Sequence, residues 1–331
     1  MKLKDRPFII GEIASAHEGS YRTAIKIGNE AFKAGADAVK FQLFKCNALM
    51  SSRNPLYRKF KKLEIQQQDW IKVFKKFQKK QFLIAETFDI ESLNFALNLK
   101  IFQMIKIPST CLVNKDMLIA LKEFNKLVIL ASGGATLAEI KFAIKYLKKK
   151  KKDIIIMAGF QNFPTKIEDT KLSQIKLLKR NFKTLIGYAD HTDSNKSFFP
   201  YTIPLMAFTI GADIIEKHIT LKREKKGTDY QSSLNPNEFK QFTYLLKESY
   251  KIFSKEKWEL SKAEENYRKF NKLFAVAKVN LKRGTKINRK NVIFKRTNKS
   301  GVTSDIFHKF LQKKLKKNKK YDEIILAQDL H

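Results

Sequence analysis

The stretch "DIIEKHIT", residues 213–220, begins as an apolar, β-branched run and ends in Glu216, Lys217, His218 and Thr220. The first part suits a strand covered on both faces. The second part is costly inside such a strand unless polar groups collect where the strand stops. Seven earlier runs share this character: "FIIGEIAS" (8–15), "DAVKFQLF" (37–44), "QFLIAETF" (81–88), "FQMIKIPS" (102–109), "LVILASG" (127–133), "DIIIMAGF" (153–160) and "TLIGYADH" (184–191). Between them lie segments such as "YRTAIKIGNEAFKAG" and "TLAEIKFAIKYLKKK", whose apolar residues recur at helical spacing. "NPNEFKQFTYLLKESYKIF", opened by Asn235 as cap before Pro236, supplies the eighth helix. Eight alternations predict an α/β fold, a closed (β/α)8 TIM barrel over residues 1–255, with an open doubly wound sheet as the alternative.

The rhythm breaks after about residue 255. The charged stretch "SKEKWELSKAEENYRKFNK" reads as a bridge, with the linker placed at 256–270. Residues 271–331 read as a small β-rich domain: "LFAVAKVNLKRGTKI" and "NVIFKRTN" form short strands around a turn at Arg283 and Gly284, and "YDEIILAQDL" is a further strand candidate.

The formal charge is +35 in 331 residues. The lysines recur through every expected helix, opposite its apolar stripe, and the run Lys148–Lys152 falls where a helix should end and favours its dipole. This is a solvated-face pattern and lacks the interleaved aromatics of a nucleic-acid stacking platform, so no nucleic-acid partner is expected. Such a field still draws anionic substrates. Cys46 and Cys111 are too few for a disulfide framework, the amino-terminal apolar run is too short for a signal peptide, and no stretch reaches the length of a membrane span. A cytoplasmic protein with no membrane partner is expected.

In a βα barrel the loops at the carboxyl ends of the strands share one mouth. Those ends carry Glu12, Lys40 and Gln42, Glu86 and Thr87, Lys106 and Ser109, Ser132, His191 and His218. The chain has only five histidines, and His17, His191 and His218 all fall at or just beyond a strand end. His191 and His218 close neighbouring strands, so their rings either serve as hydrogen-bonded structural groups or converge on one divalent ion. Lys40 and Lys106 interrupt apolar strands at inward positions. They either pair with Glu12 or Glu86 or clamp a phosphate or carboxylate, with Ser109 and Ser132 adding hydroxyl donors.

The stretches "GEIASAHEGS", "AGADAVKFQLFK", "ETFDIESL", "IKIPS", "PTKIEDTKL", "GYADHT", "GADIIEKHIT" and "GTDYQSSLNPNEF" occur in the order found in the N-acetylneuraminate (sialic acid) and related nonulosonate synthases. The resemblance runs from about residue 7 to the end, and the tail "LFAVAKVNLKRGTKINRKNVIFKR" is similar to that family's antifreeze-like domain. It implies a transferase of barrel fold that condenses phosphoenolpyruvate with the open-chain aldehyde of an N-acylated amino sugar, releasing phosphate and a nine-carbon 2-keto acid. It further implies a divalent metal, Mn²⁺ or Mg²⁺, on His191 and His218. Lys40, Lys106, Ser109 and Ser132 would grip phosphoenolpyruvate, Glu12 would accept a proton, and Gln161 and Asp229 would bind substrate. Arg296 would enter the barrel of a second copy in a domain-swapped homodimer.

The sequence departs from the family pattern at Ala16, Cys111, Ala131 and Ala189, where small polar or acidic residues are usual. The histidine pair, the lysines and Arg296 are retained, which implies preserved phosphoenolpyruvate chemistry with an altered acceptor or a weakened enzyme. The competing readings are another phosphoenolpyruvate-dependent 3-deoxy-ulosonate synthase, which the small tail domain argues against, and a basic nucleic-acid-binding protein without catalysis.

Overall fold

The computed structural model describes residues 6–77, 81–147, 150, 153–252 and 258–331. The run Lys148–Lys152, Lys150 apart, and residues 256–257 of the expected linker lie outside the described residues. The chain forms two compact units, Met1–Phe253 and Ser254–His331.

In the first unit all eight apolar runs become parallel strands: β1 Phe8–Glu12, β2 Ala38–Leu43, β3 Phe82–Thr87, β4 Met104–Ile107, β5 Leu127–Ala131, β6 Ile154–Ala158, β7 Leu185–Asp190 and β8 Ile214–Ile219. Each pairs with the next, and β1 pairs with β8 over five registered residues, from Phe8 opposite Ile214 to Glu12 opposite His218. The sheet is therefore a closed barrel. A two-residue strand, β9 Ser233–Leu234, extends it beside β8.

The crossovers are helical: α1 Tyr21–Lys33 follows β1; α2 Cys46–Leu49, α3 Tyr57–Leu63 and α4 Gln67–Phe74 follow β2; α5 Ile90–Leu99 follows β3; α6 Lys115–Ala120 follows β4. Then α7 Leu137–Leu147, α8 Ser173–Phe182, α9 Phe199–Thr209 and α10 Pro236–Ser249 follow β5 to β8 in turn. Several starts are fixed locally. Ser20 accepts from Thr23 N, Asp89 from Ser92 N, and Asn235 forms a capping box with Glu238 around Pro236 at the first turn of α10.

Alternation along each strand divides the unit into two apolar layers. Residues facing the barrel axis, among them Ile10, Ile84, Met104, Ile129, Ile155, Met157 and Ile214, form a central cluster. Residues facing outward, among them Ile9, Val39, Ile105, Val128, Ile215 and Ile219, pack under the helices with Ile27, Leu93, Leu118 and Phe242. Because the axis below is filled with hydrocarbon, the polar inward residues lie only at the upper ends of the strands.

The second unit begins at Ser254, and the segment read as a linker contains most of a helix, α11 Lys262–Asn271, capped by Ser261 and Glu264. The charged composition that suggested a bridge is that of a helix exposed to solvent, with no buried residue. Strands β10 Leu273–Ala277 and β11 Val292–Arg296 pair antiparallel over a core of Ala275, Leu281, Ile287, Val302, Leu315 and Ile325. "YDEIILAQDL" does not form a strand. Ile324 and Leu330 make isolated antiparallel bridges to Val276 and Leu315, Ile325 N donates to Ala275 O, and Ala327–Asp329 turn as a short 3-10 helix, with Lys319 and Asp329 buried together at 2.7 Å.

Candidate active site

The carboxyl ends of the strands enclose a cavity of about 600 Å³. Its floor is a buried ionic layer assembled from five strands. Lys40 Nζ on β2 lies 2.5 Å from Glu86 Oε2 on β3, 2.8 Å from Glu216 Oε1 on β8 and 3.0 Å from Glu12 Oε2 on β1. Lys106 Nζ on β4 lies 2.9 and 3.2 Å from the two Glu216 oxygens and 3.5 Å from Glu86 Oε1. The lysines thus pair with carboxylates, the first of the two readings, and both also line the cavity. With all five groups ionised, three carboxylates against two ammonium groups leave one net negative charge.

The two ammonium groups are inequivalent. Burial outweighs the pull of Glu216 and Glu86 on Lys40, with repulsion from Lys106 added, and lowers its pKa. Burial opposes the charge on Lys106 as well, but Glu216 and Glu86 overcome it and raise its pKa. Glu216 is also buried, yet the two lysines hold its pKa well below the usual carboxylate range. Glu12 is fully buried below the lining residues, and neither of its oxygens accepts a hydrogen bond, since the Lys40 contact is ionic without hydrogen-bond geometry.

Above the floor, the rings of His191 and His218 lie 5.2 Å apart at 71°. His191 Nδ1 is 2.7 Å from the carbonyl of Phe160. A carbonyl only accepts, so Nδ1 carries the proton and Nε2 keeps its lone pair. His218 Nδ1 is buried with no hydrogen-bond partner. Burial lowers the His191 pKa to about 4 and the His218 pKa well below the ordinary value, the latter helped by His191 itself. Both rings are therefore neutral at pH 7, the state in which imidazole binds metal. An orphaned nitrogen on one ring and a free lone pair on a ring 5.2 Å away fit a divalent cation. Among the described residues no group of three His, Cys, Asp or Glu side chains is arranged for a metal, so protein would supply two ligands and leave positions open.

The remaining walls come from several loops. Ser15, Gln42, Ser109, Thr110, Gln161 and Asp229 contribute polar groups. Phe44, Leu49, Lys59, Phe60 and Leu63 form a wall from the β2 crossover, and Phe163 leans over both histidines, its ring centroid 4.3 Å from His191 and 5.6 Å from His218. Asp229, half-buried in the left-handed conformation (φ 59°), has its pKa raised to about 6 by burial, with Lys59 opposing and Glu18 adding to the shift. Gly133 makes room where β5 ends. A Cβ there would sit 2.4 Å from the Gly159 carbonyl and 2.7 Å from Gln161 Cγ, so any side chain collides with the opposite wall.

Of the residues singled out in the sequence, Lys40, Lys106, Ser109, Gln161, His191, His218 and Asp229 meet in this cavity. Ser132 is not among the lining residues. Its hydroxyl donates to Met157 O at 3.1 Å, and Ala131, Gly133 and Gly134 form the surface there. Glu12 lies one layer deeper, in contact with Lys40. Arg296 ends β11 in the second unit, exposed and opposite Leu273. Cys111 packs between the barrel and its helices, and Ala189 lies in the axial cluster beneath the floor. His17 is buried edge-on against Trp70, 5.8 Å between centroids, and is not a lining residue. Sequence reading missed Glu216 as the centre of the floor, although its place two residues before His218 put both side chains on one face. It also missed the apolar wall of α2 and α3, for which the only signal was the unusual length of that crossover.

Residues 27–257 match the profile of the NeuB family. The chain is 31% identical to the N,N'-diacetyllegionaminic acid synthase of Campylobacter jejuni, over 97% of this chain and 99% of the relative. Among solved structures, it resembles the N-acetylneuraminic acid synthetase of Leptospira borgpetersenii in complex with citrate (TM-score 0.72, 30% identity, 80% of this chain and 92% of that one). It also shares its fold with the putative spore coat polysaccharide biosynthesis protein E of Chromobacterium violaceum (TM-score 0.82, 20% identity, 98% and 100% covered). An eight-stranded barrel with this arrangement of lysines and histidines, together with full-length likeness of this kind, places the chain in the NeuB family.

Proposed function

We propose that the protein joins phosphoenolpyruvate to the open-chain aldehyde of an N-acylated amino sugar, giving a nonulosonate and phosphate. The observation that carries this reading is the meeting of two buried lysines and two neutral imidazoles in one cavity at the mouth of a barrel. The relatives named as legionaminic acid and N-acetylneuraminic acid synthases support it.

In the reaction, carbon three of phosphoenolpyruvate bonds to the aldehyde carbon, whose oxygen takes a proton. Water adds to carbon two, and the bond from carbon two to the phosphate oxygen breaks. Lys40 and Lys106 orient the phosphate and carboxylate of phosphoenolpyruvate from below, and the Ser109 hydroxyl donates from the rim. A floor carrying net negative charge cannot by itself hold a multiply charged anion, so further cations are needed. His191 and His218 would hold a divalent metal, Mn²⁺ or Mg²⁺, which when bound supplies positive charge and Lewis acidity toward the aldehyde oxygen. Arg296 is the second source of charge, reaching the cavity from another copy in a domain-swapped homodimer whose second unit is an antifreeze-like domain. The Gln161 amide donates to and accepts from the sugar hydroxyls, and the Asp229 carboxylate accepts from them. Glu12, shielded by Lys40, acts on proton movement through that lysine. The protein is read as cytoplasmic, in keeping with two free cysteines. Among the described residues no helix is long and apolar enough to cross a membrane.

The test is phosphate release from phosphoenolpyruvate with a panel of N-acyl amino sugars, before and after chelation. Release that requires both an unphosphorylated amino sugar and metal is expected. Release only with phosphorylated, unaminated sugars would assign the protein to another ulosonate synthase. Absence of release, with RNA retained at about 0.2 M salt, would overturn the enzymatic reading.

A further inference from the structure

Lys217 is fully buried but takes no part in the ionic floor. Its neighbours Glu216 and His218 line the cavity, so Lys217 points to the other side of β8. There Nζ donates to Asp190 Oδ2 at 2.7 Å and to the main-chain oxygen of Thr192 at 3.3 Å. These are the two residues that flank His191. Asp190 Oδ1 in turn accepts from Thr192 Oγ1 at 2.6 Å and from the Tyr188 hydroxyl at 3.2 Å. One residue thus directly precedes one imidazole in the chain and grips the chain on both sides of the other.

We propose that Lys217 is a positioning residue that fixes His191 relative to His218 and so sets the spacing of a two-imidazole site for a divalent cation. This rests on the reading of that histidine pair as cation ligands. A buried ion pair contributes little net stability compared with apolar residues of similar volume. What this pair supplies is geometry. The ring of His191 is turned by the Phe160 carbonyl, its main-chain oxygen is held by Thr165 N and Ser232 Oγ, both at 2.8 Å, and the residues on either side of it are held by Lys217. With only two protein ligands, a site of this kind has no third group to correct an error in their separation.

The test is Mn²⁺ titration of the full chain, followed by the paramagnetic resonance of free Mn²⁺, with thermal unfolding measured alongside. Wild type is compared with Lys217→Met/Asp190→Asn, which removes both charges together, and with Thr192→Val, which removes one hydrogen bond and no charge. The double variant is expected to bind Mn²⁺ about 10-fold or more weakly, and Thr192→Val a few-fold more weakly. A purely structural pair would lower the unfolding temperature and leave the affinity of folded protein unchanged. Wild-type affinity in Thr192→Val, or in a folded double variant, overturns the inference and leaves the cation site standing. If wild type itself binds no Mn²⁺, the cation reading fails and this inference with it.

Discussion

Lys40 and Glu216, 176 residues apart in the chain, meet at 2.8 Å at the centre of the barrel, each almost wholly buried. Glu216 also holds Lys106, so a single carboxylate ties β2 to β4 through β8. Glu216→Gln leaves two buried ammonium groups short of a counter-charge. It is expected to destabilise the first unit by about 3–5 kcal/mol, a fall in Tm on the order of 10 °C. Thermal unfolding checks this, and an unchanged Tm would mean that the two lysines do not depend on Glu216.

His218 has an orphaned buried nitrogen, and its ring lies 5.2 Å from a second neutral ring. His218→Ala removes one of two proposed ligands and only one side chain of the cavity wall. Metal-dependent phosphate release is expected to fall by at least about 100-fold, the upper end for loss of support to a metal site, while circular dichroism stays that of the wild type. Unchanged turnover would remove the metal from the mechanism.

The pH dependence of stability has an identifiable contributor away from the cavity. Burial lowers the His17 pKa to about 4 from an ordinary 6.5. The folded state therefore binds its proton less readily than the unfolded state, so the contribution is fully present above pH 6.5 and is lost as pH falls toward 4. The full effect is on the order of 3 kcal/mol. Denaturant unfolding at a series of pH values should show stability falling over this window, and His17→Leu should flatten the fall even though it lowers stability at pH 7. An equally steep fall in the variant would assign the effect to other groups.

Asp229 bears on the pH dependence of activity. With its pKa raised to about 6 by burial, a carboxylate that accepts hydrogen bonds from the sugar is lost as pH drops through 6. kcat/KM for the sugar is expected to decline on the acid side with a midpoint near 6. In Asp229→Asn that limb should vanish and KM for the sugar should rise at pH 8. Retention of the acid limb in the variant would point to another group.

The local sequence determined the barrel and the strand ends of this protein. Eight β-branched runs separated by amphipathic segments leave few topologies other than closure, since each parallel strand needs a crossover and cover on both faces. The period-two alternation in "DIIEKHIT" sent Glu216 and His218 to one face and Lys217 to the other, and the caps at Ser20, Asp89 and Asn235 follow from short-range chemistry. Tertiary structure alone decided who neutralises whom. Lys40 met Glu216 as well as the neighbouring Glu86 and Glu12, because closure of the sheet brings β8 beside β1. Ser132, at a strand end like the others, turned its hydroxyl to Met157 O on the adjacent strand, and Lys217 found Asp190 across the β7–β8 pair. Electrostatic partners are chosen by distance in space, which alternation and spacing along a chain cannot specify until the barrel has closed.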